Sequence, residues 1–247
     1  IGVGTSGSGV AWAHTATNVT STGVLYCRMG SGNNKSCDTS RADPAPTNMP
    51  ISQGNLDEWK DLAVAGGATS SIKIDGNKSR TLGPIKINGN LEVEASGILY
   101  ITGPIHVTGF VKVSGRAKIY VHTSMGTASG IIVADGIVEL EGSGGIYGSG
   151  QAGSYVVVAT TSTCPGGSNC GGGSKAIKIS GEAGSVVLSA PDGRVELEGS
   201  VTIKSLVAKQ VKMSGTSKII YDSGLANLDF TSGPSGSWTV ESWKEVE

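Results

Sequence analysis

Charge is scarce in this sequence, and where it occurs it is balanced. Only 16% of residues are charged, 19 Lys and Arg stand against 20 Asp and Glu, and no basic run appears. The electrostatic footprint of a nucleic-acid binder is therefore missing, and no nucleic-acid partner is expected. Long apolar runs are missing too: none approaches the roughly 18 to 20 residues that span a bilayer as a helix, so no membrane span is expected in these residues. Aromatics supply 5% of the chain, which speaks against a core built on large rings. No Gly-Lys-Ser or Gly-Lys-Thr element exists, which excludes a phosphate-binding P-loop. None of the four cysteines has C-x-x-C spacing and no His lies close to them, so a zinc centre is not expected.

What is abundant is glycine, 39 residues of it, together with evenly spread Val and Ile. That profile suits many short strands punctuated by turns, and 247 residues suffice to bury a substantial core. Internal repetition sharpens the reading. Apolar, any, apolar, small polar, Gly occurs as Ile72-Lys73-Ile74-Asp75-Gly76, Ile85-Lys86-Ile87-Asn88-Gly89, Leu99-Tyr100-Ile101-Thr102-Gly103, Ile105-His106-Val107-Thr108-Gly109 and Val111-Lys112-Val113-Ser114-Gly115. It returns as Ile177-Lys178-Ile179-Ser180-Gly181 and Val211-Lys212-Met213-Ser214-Gly215, and Val-Glu-Leu-Glu-Gly-Ser occurs at Val138 to Ser143 and again at Val195 to Ser200.

Alternation places Ile72 and Ile74 on one face and Lys73 on the other. Each unit is a half-buried strand, the glycine permits a corner, and the small polar residue before it can bond the turning backbone. One unit buries too little to fold alone, so the pattern predicts stacked units around continuous columns of Val, Ile and Leu. Three units, about 18 residues, would make a triangular turn with turns about 4.8 Å apart. The predicted fold class is all-β, a single-stranded β-helix (β-solenoid) of triangular cross-section with one short capping helix and disulfide-pinned loops. A β-sandwich, the alternative, has no reason to repeat a pentapeptide ending in Gly.

The expected organisation is residues 1–49 as irregular strands and a disulfide loop, 50–70 as a capping helix and linker, 71–230 as the solenoid with an inserted loop at about 149–174, and 231–247 as a closing strand. Val10, Trp12, Val19, Val24 and Leu25 suggest the early strands, and Trp238, Val240 and Trp243 the last one. Helix signals are confined to Pro50–Gly67: Ser52 as N-cap, Leu56, Trp59, Leu62 and Val64 as an apolar side, and Gly66 as the stop. Trp59 is expected to cover an open strand edge. The start at Ile1, inside a Gly/Ser/Val pattern, leads to the expectation of an upstream export signal or anchor.

Cys27 with Cys37 and Cys164 with Cys170 read as two local disulfides, which fits an oxidising compartment. Other candidates for chemistry yield to plainer readings. Gly148-Ser149-Gly150-Gln151-Ala152-Gly153 matches the dinucleotide fingerprint, but Tyr155-Val156-Val157-Val158 after it reads as a strand where a helix is required. Glu139 with Glu141, and Glu196 with Glu198, could serve as paired acids for glycoside hydrolysis, yet they occupy solvent positions of a repeat that elsewhere carries Lys. His106 and His122 lack a third metal ligand. Asn33, Asn34, Asp38 and Asp43 could hold calcium but lack EF-hand spacing. Asn18-Val19-Thr20 is a glycosylation sequon by pattern. The outward Lys, Glu, Tyr and His do not form the flat Thr ladder of an ice binder. No catalytic, cofactor-binding or metal residues are expected.

With these repeats, residues 71–230 resemble bactofilin-like polymer-forming β-helices. Tyr26-Cys27, Gly32 to Thr39, the helix around Trp59, Trp238 and Trp243-Lys244-Glu245 look like extracellular regions of bacterial pilin-like surface proteins. The resemblance implies a right-handed helix and a non-enzymatic structural or adhesive protein, extracellular or at the cell surface and filament-associated. The partners expected are further copies of the chain, cell-surface or pilus components, and a glycan; a polysaccharide lyase or hydrolase is the alternative function.

Overall fold

The computed structural model describes residues 2–3, 11–21, 23–42, 51–165, 175–181 and 183–220. The chain divides into two compact units, Ile1–Asn48 and Met49–Glu247.

The first unit is a set of short parallel pairs: Gly2–Val3 with Thr20–Ser21, Ala11–Trp12 with Leu25–Tyr26, and Thr15–Thr17 with Met29–Ser31. Ala16, Leu25 and Cys27 form its small core, with Val19 and Cys37 packed against it. So little apolar surface needs other support. The Cys27–Cys37 disulfide supplies it, with Cα atoms 5.0 Å apart. Asparagine side chains stand in for missing ladder bonds. Asn33 accepts from Val19 N–H at 2.9 Å and donates to the Ala16 carbonyl at 2.9 Å, and Asn34 does the same for both backbone groups of Ser21 at 2.9 and 3.0 Å.

In the second unit Ser52 caps the helix Gln53–Ala65, accepting from Asn55 N–H while Asn55 accepts from Ser52 N–H at 2.9 Å. The side it buries is Leu56, Trp59 and Ala63, whereas Val64, expected on the apolar side, is 50% exposed. Glycine at the stop, Gly66, has a steric cause: a Cβ there would lie 2.0 Å from the Pro84 carbonyl oxygen. The helix lies against the outward side chains of a strand wall. Leu56, Trp59 and Ile51 form one cluster with Ile131, Val133, Tyr155, Val157, Ala159 and Val187. Trp59 thus covers a lateral face, where alternate residues of Gly130–Ala134 and Val156–Thr160 are apolar on both sides.

The strands pair in parallel throughout. Eight of them, Ile85–Val93, Ile105–Val107, Gly130–Ala134, Val156–Thr160, Val186–Leu197, Ile177–Gly181, Val138–Gly142 and Val111–Val113, form a circuit in which the last hydrogen-bonds to the first. The all-β reading stands, with one α-helix; the single-stranded, right-handed triangular β-helix does not, because the principal sheet is a closed parallel barrel of eight strands. The physical reason is that a predicted corner does not break the chain. Ile85–Val93 runs through Asn88-Gly89 as one strand and pairs with Ile105–Val107 at its start and Val111–Val113 at its end. Val186–Leu197 joins the ladders again on the far side. At Gly89 φ is 130° and a Cβ would sit 2.1 Å from Ser71 Oγ, so only glycine fits. Thr108 Oγ1 accepts from Gly89 N–H at 2.8 Å and Ser71 Oγ from Asn90 N–H at 3.0 Å, carrying the bonding through the bend.

Register stacks like on like. Leu91, Val111, Val138, Ile177 and Val195 make one inward column, and Ile85, Ile105, Ile132, Val158 and Leu188 another. They belong to one continuous aliphatic core. A separate four-strand sheet runs Ser79–Leu82, Ile98–Ile101, Lys118–Val121, Ile146–Tyr147. The insertion expected at about 149–174 is interrupted by Val156–Thr160, a fully buried barrel strand hidden between glycine-rich flanks. The closing strand expected at 231–247, with Trp238 and Trp243, lies outside the described residues.

Candidate binding groove

The four-strand sheet carries a feature that the repeat conceals. Its outward column is Thr81, Tyr100, Tyr120 and Tyr147 in register, unlike the outward column of alternating Lys and Glu that runs from Lys73 to Lys212. The tyrosine rings stack at 5.6 and 4.9 Å with interplanar angles of 21° and 18°. Parallel strand spacing is about 4.8 Å, so stacking is what the ladder imposes on identical side chains in one column. His122 closes against Tyr100 edge-on at 6.0 Å.

These rings line a groove of 580 Å³, with Arg80, Thr123 and Gly148–Gly150 among its walls. It contains no Asp or Glu. Tyr147 donates to the Gly144 carbonyl at 3.0 Å, whereas the Tyr100 and Tyr120 hydroxyls have no protein partner among the described residues. One wall is fixed by side-chain bonds: Ser149 Oγ donates to the Gly126 carbonyl, and Ser154 Oγ to the Ala128 carbonyl at 2.9 Å. His122 Nδ1 is 2.8 Å from Ser124 Oγ and accepts from Ser124 N–H at 3.2 Å, starting the turn Thr123–Met125. A smaller depression of 270 Å³ shares Tyr147 with the groove and is lined beyond it by Ala183, Gly184, Ser200 and Thr202.

The carboxylates weighed as paired acids are held differently. Lys73, Glu92, Lys112, Glu139, Lys178, Glu196 and Lys212 follow one another in register as a ladder of alternating sign. Lys178 lies 2.7 Å from Glu141 and 3.5 Å from Glu198, and Lys175 lies 3.1 Å from Glu196, which also contacts Lys212. Burial pushes the Glu196 carboxyl up, but the ammonium groups of Lys212 and Lys175 more than reverse it and leave it below the ordinary carboxylate range. Hydrogen bonding to Glu141 raises the Lys178 ammonium. A glycosidic general acid needs its pKa raised, so this arrangement holds Glu196 in the wrong state for that work.

His106 and His122 are not brought together: one lies on the barrel wall and the other beside the groove. His106 is buried, with Nε2 2.8 Å from Asp135 Oδ2, and Lys60 of the helix reaches Asp135 Oδ1 at 2.6 Å. Burial raises the Asp135 carboxyl, and the bonds from Lys60 and His106 bring it net below its usual value. Asn33 and Asn34 spend their amides on the backbone and Asp38 accepts from Ser40 N–H at 2.9 Å; Asp43 lies outside the described residues. Among the described residues no group of three His, Cys, Asp or Glu side chains could hold a metal. Gly148–Gly153 precedes the strand Val156–Thr160, the wrong context for a dinucleotide. Asn18 is exposed with φ 55°. Cys164 is buried and disulfide-bonded, and Cys170 lies outside the described residues.

The tyrosine column escaped sequence reading because its members are 20 and 27 residues apart, and only Tyr100 falls in a recognised repeat unit. The available signal was register: aligning Leu99-Tyr100-Ile101 with Ile119-Tyr120-Val121 superposes the rings.

Among the described residues no helix is long and apolar enough to cross a membrane. No protein-family model, curated protein or solved structure matches the chain.

Proposed function

We propose that this chain is a non-enzymatic structural or adhesive protein of an extracellular or cell-surface assembly, related to filament-associated pilin-like proteins, with the parallel β scaffold as a stiff support and the tyrosine groove as its contact site. One observation carries the reading: three of the four carboxylates that would do acid-base work, Glu141, Glu196 and Glu198, are held in ion pairs with Lys175, Lys178 and Lys212, while the groove on the scaffold is aromatic and free of carboxylates. The disulfide-bonded cysteines favour an oxidising compartment. A two-part experiment tests this. Incubation with soluble polysaccharides should release no reducing ends or unsaturated products, and the purified protein should bind a cell-wall fraction. Product release that disappears in Glu139→Gln or Glu196→Gln would establish the alternative, a polysaccharide lyase or hydrolase.

A further inference from the structure

Resting on the adhesive reading, we infer that the tyrosine groove binds an extended, uncharged glycan chain lying along the stacking direction, with Tyr100 and Tyr120 as its principal contacts. The groove lies within the roughly 300–1,000 Å³ range of small-ligand sites, at 580 Å³. Its long direction follows rings repeating at 5.6 and 4.9 Å, with a further depression beyond Tyr147, so it favours a ligand that itself repeats. Because the rings stack on one another, their apolar faces are largely spent and they present edges and hydroxyls outward. The two unpartnered hydroxyls, with His122, Thr81 and Thr123, form an amphipathic strip suited to a ligand that alternates C–H surface with hydroxyls.

Other linear ligands fit worse. A peptide strand binds by adding to an open sheet edge; the strands with the two unpartnered hydroxyls, Ile98–Ile101 and Lys118–Val121, are paired on both sides, and the edges Ser79–Leu82 and Ile146–Tyr147 bound the tyrosine column only at its ends. A nucleic-acid strand needs several phosphate partners, and Arg80 is the single Arg or Lys in the lining. One guanidinium and no carboxylate leave the groove nearly neutral. The wall pinned by Ser149 and Ser154 lowers the ordering cost of binding.

The test is affinity electrophoresis through gels containing β-glucan, xylan, mannan or polygalacturonate, followed by calorimetry with the corresponding hexasaccharides. At least one neutral polysaccharide should retard the protein. Tyr120→Ala should weaken that binding about tenfold or more, and Tyr120→Phe, which keeps the stack and removes one hydroxyl, about three- to tenfold. A thermal melt checks folding, and if Tyr120→Ala melts early then Tyr120→Phe decides. The inference is overturned if no polysaccharide retards the protein, if only polygalacturonate does, or if the folded variants bind as well as the parent. Failure here leaves the structural reading standing, whereas cleavage of a bound glycan would sink that reading and keep the site.

Discussion

Replacing Glu196 by Gln isolates what the charged ladder contributes. The Glu196 side chain is 1% exposed, while Lys175 and Lys212 are 23% and 51% exposed. Breaking a fully buried ion pair costs about 3–5 kcal/mol because a charge is stranded, and a surface pair contributes at most about 1 kcal/mol. Here the stranded ammonium groups still reach water, so the loss should be intermediate, about 1–3 kcal/mol. Urea denaturation at neutral pH would show it as a lowered midpoint with an unchanged slope. The pH dependence is more diagnostic. Because the folded carboxyl is lowered, its stabilisation is fully present above the unfolded value, about 4.3, and is lost as pH falls through the folded value. The gap between parent and Glu196→Gln should stay constant from about pH 8 to pH 5 and close below about pH 4. Equal midpoints at pH 7, or a gap that persists in acid, would refute the reasoning.

Other expectations follow from packing and covalent geometry. Trp59→Ala should cost about 3–5 kcal/mol and expose Gln53–Ala65 to rapid amide exchange, while Ile119, in the separate four-strand sheet, keeps its protection. Gly89→Ala combines a positive φ with a Cβ 2.1 Å from Ser71 Oγ; it should cost at least about 1–3 kcal/mol, part of which Ser71→Gly would recover. Replacing Cys27 and Cys37 together by Ser, which leaves the Cys164 disulfide intact, should remove about 2–3 kcal/mol of local stability, read as faster proteolysis within residues 1–48 than in the parent protein; equal rates would refute it.

How far the sequence could be read depended on whether the deciding contacts were periodic. Ile72-Lys73-Ile74 and its repeats announced half-buried strands and aliphatic columns, and Ser52, Trp59 and Gly66 announced the helix, because alternation and capping are local. The closed circuit was hidden, since whether Asn88-Gly89 ends a strand or bends within one depends on Ser71 and Thr108, hydroxyls 17 to 20 positions away that supply the missing bonds. Val64 was misplaced for a similar reason: only the wall built by Ile131, Val133 and Val157 decides that Ala63 faces inward. The groove was least legible, as its rings come from three separated strands and its wall from two loops that nothing in their own composition links.

The alternation of sign from Lys73 to Lys212 limits how such a molecule can grow or shrink. Deleting one of these strands, or duplicating one, would set ammonium beside ammonium or carboxylate beside carboxylate along that ladder, while a change of two neighbouring strands would leave every neighbour opposite in sign. Change by pairs of strands is therefore the permitted route, and a strand that paired one place out of order would meet its own charge on the neighbour.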